Sequence, residues 1–398
     1  MDMEKRARME SGNSHGVVAK SSVSIDPFRD EPPPELAPVR GGEDLDWERI
    51  DAYLRKYLPD ELDLEGVFEV VQFPNGAANL TYLIRFGEFE LVLRRPPFGK
   101  LAPGAHDMKR EYKVLSRLWR QFDRAPRAFL FCDDSEVAGA DFFVMERRRG
   151  EVIRGVIPES MRKHEDVGRR IGNSLVEAMA EFHLLDPVKC DLADLGRPDG
   201  FVARQVKGWK KRWDLVADPE HDEIMSAVHA RLEASTPPAQ RVSLVHNDLK
   251  LDNCMFDPIN PDRVIAFFDW DMTTLGDPLI DLGTLLNYWP APTDGEVARG
   301  GHPGMESMGL PTRAEVVKIY SERTGLDVSQ VAWYEAFALW KTATVLEQLY
   351  HRWAVGESTD DRMKGIALRV PILAADAALL LDELSACRKF KLRSLHHR

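Results

Sequence analysis

Leu244-Val-His-Asn-Asp-Leu-Lys-Leu-Asp-Asn253 is the stretch on which the reading of this chain turns. Asp248 stands two residues after His246, Lys250 two after Asp248, and Asn253 five after Asp248. An apolar run, Val264-Ile-Ala-Phe-Phe268, then delivers a second acidic residue, Asp269. The spacing suits phosphoryl transfer from a nucleotide to an alcohol. The attacking hydroxyl must be oriented and must lose a proton to a nearby carboxylate. Nucleotide phosphates need Mg²⁺, a hard cation that takes oxygen ligands and keeps part of its water. One carboxylate at the attacking oxygen, with one carboxylate and one amide at the metal, is the smallest set that meets both demands. A rigid loop running into a β-hairpin holds such groups more tightly than a flexible segment would.

Protein kinases arrange the same functions in the same order. H-R-D-x-x-x-x-N supplies a catalytic Asp and a Mg²⁺-binding Asn, and a later D-F-G supplies a second metal ligand. On that template Asp248 is the catalytic base or hydroxyl-orienting residue, Asn253 and Asp269 are the Mg²⁺ ligands, and Lys250 contacts the γ-phosphate. His246 opens the loop and is expected to pack or hydrogen-bond beneath Asp269. His246-Asn-Asp-Leu-Lys-Leu-Asp-Asn253, with Phe268-Asp-Trp-Asp271 and Leu275-Gly-Asp-Pro-Leu-Ile-Asp-Leu-Gly283, resembles the aminoglycoside phosphotransferase and choline kinase superfamily. Within it, the chain looks most like the kinase-like N-terminal domains of acyl-CoA dehydrogenase family proteins and their stand-alone bacterial relatives. Matching stretches run from about residue 45 to about residue 384, among them Leu91-Val-Leu-Arg-Arg-Pro-Pro97, Arg204-Gln205 with Trp209, and Tyr320-Ser-Glu-Arg-Thr-Gly325.

The resemblance implies a protein-kinase-like α+β fold in two lobes, a small antiparallel β-sheet N-lobe and a mostly helical C-lobe, with ATP and Mg²⁺ between them. Pro74-Asn-Gly-Ala-Ala-Asn79 becomes the loop over the phosphates, where backbone N–H groups at Gly76, Ala77 and Ala78 and the Asn79 side chain meet phosphate oxygens. Arg94 stands where kinases carry a lysine on the third strand, a forked donor in place of a point charge. Glu111 on the next helix is its expected partner, and Met145 borders the nucleotide site. The common motif has Gly where Asn247 stands, and Asn also tolerates unusual backbone dihedrals. Gly276-Asp-Pro278 and Asp281 are expected to be structural, with an Asp that opens a helix holding the catalytic loop from below.

Composition narrows the partners. A net charge of −12 argues against a nucleic-acid surface, which needs a basic footprint. Four cysteines, at 132, 190, 254 and 387, form no C-x-x-C pair, so neither zinc nor a disulfide framework is expected. The longest apolar candidate, Ile366 to Leu384, carries Arg369 and Asp376 and reads as a buried helix rather than a membrane span. The N-terminus is basic but lacks the apolar core of a secretory signal. A cytoplasmic protein with no membrane partner is expected; oligomeric state is not legible.

Along the chain, residues 1–44 lack periodicity and read as a disordered leader. Residues 45–146 form the N-lobe. Its signals are a helix at Asp46–Leu58 with the stripe Trp47, Ile50, Leu54 and Tyr57, strands at Val67–Phe73, Leu80–Phe86, Phe89–Leu93, Phe129–Cys132 and Phe142–Met145, and a helix near Ala105–Trp119. Residues 147–398 form the C-lobe, with helices at about 159–184, 200–216, 219–234, 312–324, 328–353 and 359–386, interrupted by the loop and hairpin of 244–270. The function that follows is transfer of the γ-phosphate of ATP to a hydroxyl of a small molecule, with hydroxy-acids or hydroxyacyl thioesters favoured by the resemblance over aminoglycosides. A protein kinase and a catalytically silent nucleotide-binding module are the rivals. Asp269 runs at once into Trp270–Pro278 and an apolar helix, with no A-P-E, which leaves no room for a peptide platform.

Overall fold

The computed structural model describes residues 35–74, 79–99, 107–290, 301–358 and 360–395. Helix α1 (Trp47–Tyr57) opens on Asp46, whose side chain accepts from the Arg49 N–H. Its apolar stripe buries Ile50 and Leu54, while Tyr57 stays half exposed. Five antiparallel strands follow in the spatial order β1-β2-β3-β5-β4: β1 (Phe68–Gln72), β2 (Leu80–Phe86), β3 (Phe89–Arg95), β4 (Ala128–Cys132) and β5 (Phe142–Glu146). Helix α2 (Met108–Leu118) lies between β3 and β4 in the chain, and the single turn α3 (Ser135–Ala138) precedes β5.

Strand alternation decides what reaches the cleft. Successive side chains of β3 point to opposite faces. Leu91 and Leu93 join Tyr82, Ile84, Phe142 and Val144 in a core under α1. Val92 turns the other way, with Met108, Val114, Phe143 and Met145, into a core continuous with the helical lobe. Arg94 shares the parity of Val92, so it is carried to the face that meets α2 and the second lobe.

Residues 35–44, read from sequence as part of the leader, include a segment that docks on this lobe. Ala37 exchanges backbone hydrogen bonds with Gln72 at 2.9 and 2.8 Å. Arg40 N–H donates to the Gln72 side chain, and the Tyr82 hydroxyl donates to the Glu43 carbonyl. Charged and Pro-rich composition hid this attachment, because backbone pairing needs no apolar side chain.

The second lobe starts with β6 (Glu151–Val152) and continues through α4 (Val167–Leu184), α5 (Phe201–Asp214) and α6 (Pro219–Ala234). Strands β7 (Ser243–Val245), β8 (Cys254–Phe256), β9 (Val264–Phe267) and β10 (Thr274–Gly276) hold the motif region. Helices α7 (Leu279–Tyr288), α8 (Arg313–Thr324), α9 (Val331–Ala354) and α10 (Val370–Leu395) complete it. Two expected helices are shorter than their apolar patterns suggested. The 159–184 run breaks after a 3₁₀ turn and restarts beyond Asp166, which takes a left-handed φ of 50°. The 359–386 run is 3₁₀ up to Arg369. The regular helix starts at Val370, which leaves Pro371 in the first turn, where its missing N–H costs nothing. Helices α7 and α9 touch backbone to backbone, because a methyl group on Gly283 would fall 2.5 Å from the Tyr334 carbonyl.

Candidate active site

The loop from Val245 to Cys254 is gripped from below. Strands β7 and β10 pair antiparallel, with Thr274 opposite Val245, so the chain leaving the hairpin returns beside the loop. Asn247 sits in the left-handed region at φ 67°, a conformation Asn tolerates better than most residues. This turns two consecutive N–H groups toward one carboxylate. His246 N–H donates to Asp281 Oδ2 at 2.6 Å and Asn247 N–H to Asp281 Oδ1 at 2.7 Å. Asp281 is fully buried on the first turn of α7. His183 Nε2 lies 3.0 Å from Asp281 Oδ2 and, since a carboxylate only accepts, donates to it. The His183 Nδ1 is 2.7 Å from the Tyr320 hydroxyl. Burial works against the Asp281 charge, but the His183 hydrogen bond, the nearby His183 and His246 rings and the His246 N–H together outweigh it and hold the carboxyl below its ordinary value. Asp277 caps α7 through the Leu279 N–H and accepts from the Tyr334 hydroxyl at 2.7 Å. Both aspartates do what the sequence suggested for them.

Above this base stand the candidate chemical groups. Asn253 Nδ2 donates to the Asp248 carbonyl at 2.7 Å and to Asp248 Oδ2 at 3.0 Å. Spending its N–H groups there turns the Asn253 carbonyl oxygen to the other side. Lys250 Nζ is 3.4 Å from Asp248 Oδ2 and 3.9 Å from Asp252 Oδ2, and lies 5.0 Å from the centroid of the Tyr288 ring. Burial disfavours the lysine charge, yet Asp248 and Asp252 together raise its pKa. His246 Nε2 lies 2.8 Å from the Phe268 carbonyl, fixing the residue before Asp269 as its structural role requires.

Asp269 ends the hairpin in a left-handed conformation, φ 66°. Arg94 spans the lobes. Its guanidinium lies 3.2 Å from Glu111 Oε1 and 2.5 Å from Asp269 Oδ1. The Arg94–Glu111 pair expected from sequence is therefore present; the contact with Asp269 was not foreseen. Burial pushes the Glu111 carboxyl up to about 8 despite the neighbouring guanidinium. Burial also raises Asp271, with help from the Asp269 charge, to about 6. Asp269 itself is held below its ordinary value, because Arg94 outweighs the effect of burial.

The Asp269 and Asp271 carboxyls and the Glu111 carboxyl thus crowd one guanidinium. The excess negative charge and the hard oxygens of Asp269, Asp271 and Asn253 fit a small divalent cation such as Mg²⁺.

Met145 lies in β5 opposite Val92 and is buried beside the connector to the second lobe. Asn79 is buried at the start of β2. Gly76, Ala77 and Ala78 lie outside the described residues. Lys341 escaped the sequence reading. Its ammonium donates to the Asn247 carbonyl at 2.8 Å. Burial lowers its pKa. The signal was available: one lysine in the otherwise uncharged run Ala336-Phe-Ala-Leu-Trp-Lys-Thr-Ala-Thr-Val345. His302, 3.2 Å from Asp252, was also missed, since a lone His in a Gly/Pro-rich loop carries no pattern.

This arrangement is that of a kinase-like phosphotransferase. The model of the phosphotransferase enzyme family matches residues 69–310, and the chain belongs to that family. It is 32% identical over 325 residues to acyl-CoA dehydrogenase family member 11 of Rattus norvegicus, covering 80% of this chain and 41% of that protein. The Homo sapiens protein of the same name is 28% identical over 332 residues, covering 82% of this chain and 42% of its own length. The chain therefore spans about two-fifths of the curated relatives it matches. Among solved structures, a Ralstonia eutropha protein provisionally assigned as an aminoglycoside phosphotransferase is similar with a TM-score of 0.70 and 26% identity, covering 85% of this chain and 99% of that one. Choline kinase from Cryptosporidium parvum shares the fold at a TM-score of 0.50 and 13% identity, covering 88% and 97%. Among the described residues, no helix is long and apolar enough to cross a membrane.

Proposed function

We propose that this chain transfers the γ-phosphoryl group of ATP to a hydroxyl of a small molecule. The observation that carries the reading is the Asp248 carboxylate, held by Asn253 and Lys250 on a loop whose hairpin ends at Asp269. The acceptor oxygen attacks γ-phosphorus, an O–P bond forms, the bond to the β-phosphate oxygen breaks, and ADP leaves. The hydroxyl proton passes to the Asp248 carboxylate. Lys250 offsets negative charge beside that carboxylate. Asn253 and Asp269 hold the Mg²⁺, which when bound neutralises the phosphate oxygens. Arg94, anchored by Glu111, positions Asp269 and places a positive charge beside the phosphates. Gly76, Ala77, Ala78 and Asn79 cover them, and Met145 borders the nucleotide base.

A small acceptor is favoured over a protein because α7 opens at Leu279, directly after β10, which leaves no peptide platform. The acyl-CoA dehydrogenase relatives favour a hydroxy-acid or hydroxyacyl thioester. A cytoplasmic setting suits the buried, unpaired thiols of Cys132, Cys190 and Cys254. The test is ATP consumption against hydroxyacyl-CoAs, hydroxy-acids, amino alcohols and aminoglycosides. Acceptor-dependent ADP release with one class is expected. Nucleotide binding without turnover on any acceptor would instead mark a silent module, and saturable labelling of a protein would mark a protein kinase.

A further inference from the structure

Helix α5 carries the basic run Lys207-Gly-Trp-Lys-Lys-Arg-Trp213. Two of its lysines are paired. Lys207 lies 3.9 Å from Glu233, and Lys210 bonds Asp214 one turn on. Arg212 has no carboxylate within ion-pair distance among the described residues. Its guanidinium lies 4.3 Å from the centroid of the Trp209 ring. The Lys341 ammonium lies 5.4 Å from the same centroid. Among the described residues Lys341 also lacks a carboxylate partner at ion-pair distance, and it donates to the neutral carbonyl of Asn247, the residue before Asp248. Two cations thus share one nearly buried indole ring. Burial disfavours both charges; Lys341 is also repelled by Arg212 and Lys250, while Asp248 and Asp281 attract it from a distance.

Placing like charges together around a low-dielectric ring is unfavourable. Cation–π attraction of about 0.5–2 kcal/mol per contact offsets only part of that. An anion within reach of both offsets that cost, and a guanidinium fork with a second cation near by matches carboxylate or phosphate oxygens. The position beside Asn247 puts that anion next to the catalytic loop.

We propose that Arg212 and Lys341, flanking Trp209, form an anion-binding subsite that selects acceptors carrying a carboxylate or phosphate group near the reacting hydroxyl. This rests on the phosphotransferase reading above and adds to it the charge of the acceptor and the residues that recognise it. Asp248 accepts the hydroxyl proton while the two cations anchor the far end.

Two acceptor pairs test the subsite: a short hydroxycarboxylate with its primary amide, and glycerol phosphate with glycerol. Binding is read by tryptophan fluorescence with Mg²⁺–ADP present, and turnover by ADP release from ATP. In wild type the charged member of at least one pair binds roughly tenfold or more tightly than its neutral partner. Arg212→Gln raises the Kd and KM of that charged member roughly ten- to hundredfold, leaves its kcat within a few-fold and leaves the neutral partner unchanged. Lys341→Met erases the same preference, and Lys341→Arg restores part of it. The pair that responds distinguishes carboxylate from phosphate. A wild-type protein indifferent to charge in both pairs overturns the proposal, as does a preference that survives in Arg212→Gln and Lys341→Met. A purely structural Lys341 shows instead as an equal fall in kcat on both members. Charge-selective binding without phosphoryl transfer keeps the subsite and rejects the phosphotransferase reading.

Discussion

Asp281→Asn removes one charge from the base of the catalytic loop while keeping nearly the same shape. The wild-type carboxylate accepts three N–H groups, from His246, Asn247 and His183, in a fully buried position. A hydrogen bond to a charged group contributes about 1.5–3 kcal/mol. Asparagine keeps one acceptor oxygen and turns an NH₂ toward donors, so between one and two of the three bonds are lost. The expected destabilisation is roughly 1.5–6 kcal/mol, which reaches the upper end for a single substitution. Release of the two backbone N–H groups also lets the loop drift, and a shift of about 1 Å at a reacting group costs on the order of a hundredfold in rate. Urea unfolding midpoints and ADP release are the measurements. The pH dependence adds a second reading. Since the folded-state pKa of Asp281 lies below its unfolded value, its stabilisation is complete above about pH 4 and is lost as pH falls through the folded pKa. The gap between wild type and variant should therefore narrow in acid. Equal midpoints at neutral pH, or a gap that stays constant on acidification, would refute the grip assigned to Asp281.

Asp248→Asn should leave nucleotide affinity intact and lower turnover roughly a hundredfold or more; near wild-type turnover with a true acceptor would remove it as the proton acceptor. Asp269→Ala should abolish Mg²⁺-dependent nucleotide binding and Asn253→Ala should weaken it, which a Mg²⁺ titration of nucleotide binding checks; unchanged metal dependence in both variants would reject these ligands. Deleting residues 1–44 removes the Ala37–Gln72 pairing and the Glu43 acceptor for Tyr82, and should lower the melting temperature by a few degrees; an unchanged melting temperature would show that the docked segment contributes nothing.

The sheet, its hairpin and the main helices were legible because each has a strong period. Leu91 and Leu93 alternate with Val92 and Arg94, and the loop residues stand at fixed separations that only local geometry has to honour. Asn247 and Asp281 were legible for the same reason: one needs an unusual φ, and the other opens a helix. What stayed hidden depends on contacts across long sequence separations. Arg94 reaches Asp269 only because the lobes fold together, and Lys341 reaches Asn247 from a different helix. The docking of Ala37 was masked because backbone pairing leaves no trace in side-chain pattern. Asp166 and Pro371 shortened helices whose apolar runs continued past them, a case of local backbone restriction overriding burial.

The contact of α7 with α9 at Gly283 determines the frame to which the reaction is referred. One of these helices holds the catalytic loop through Asp281, and the other through Lys341. At Gly283 no side chain separates them, so the two helices lie in direct backbone contact. In the proposed reaction, the loop that carries Asp248 is thereby tied to both helices of the second lobe. The Arg94–Asp269 contact joins strand β3 to the end of the hairpin, beside the hydrogen bond from the Arg110 guanidinium to the Thr273 carbonyl. A bulkier residue at Gly283 would therefore push α7 and α9 apart, lowering stability and displacing at once both holds on the loop that carries Asp248.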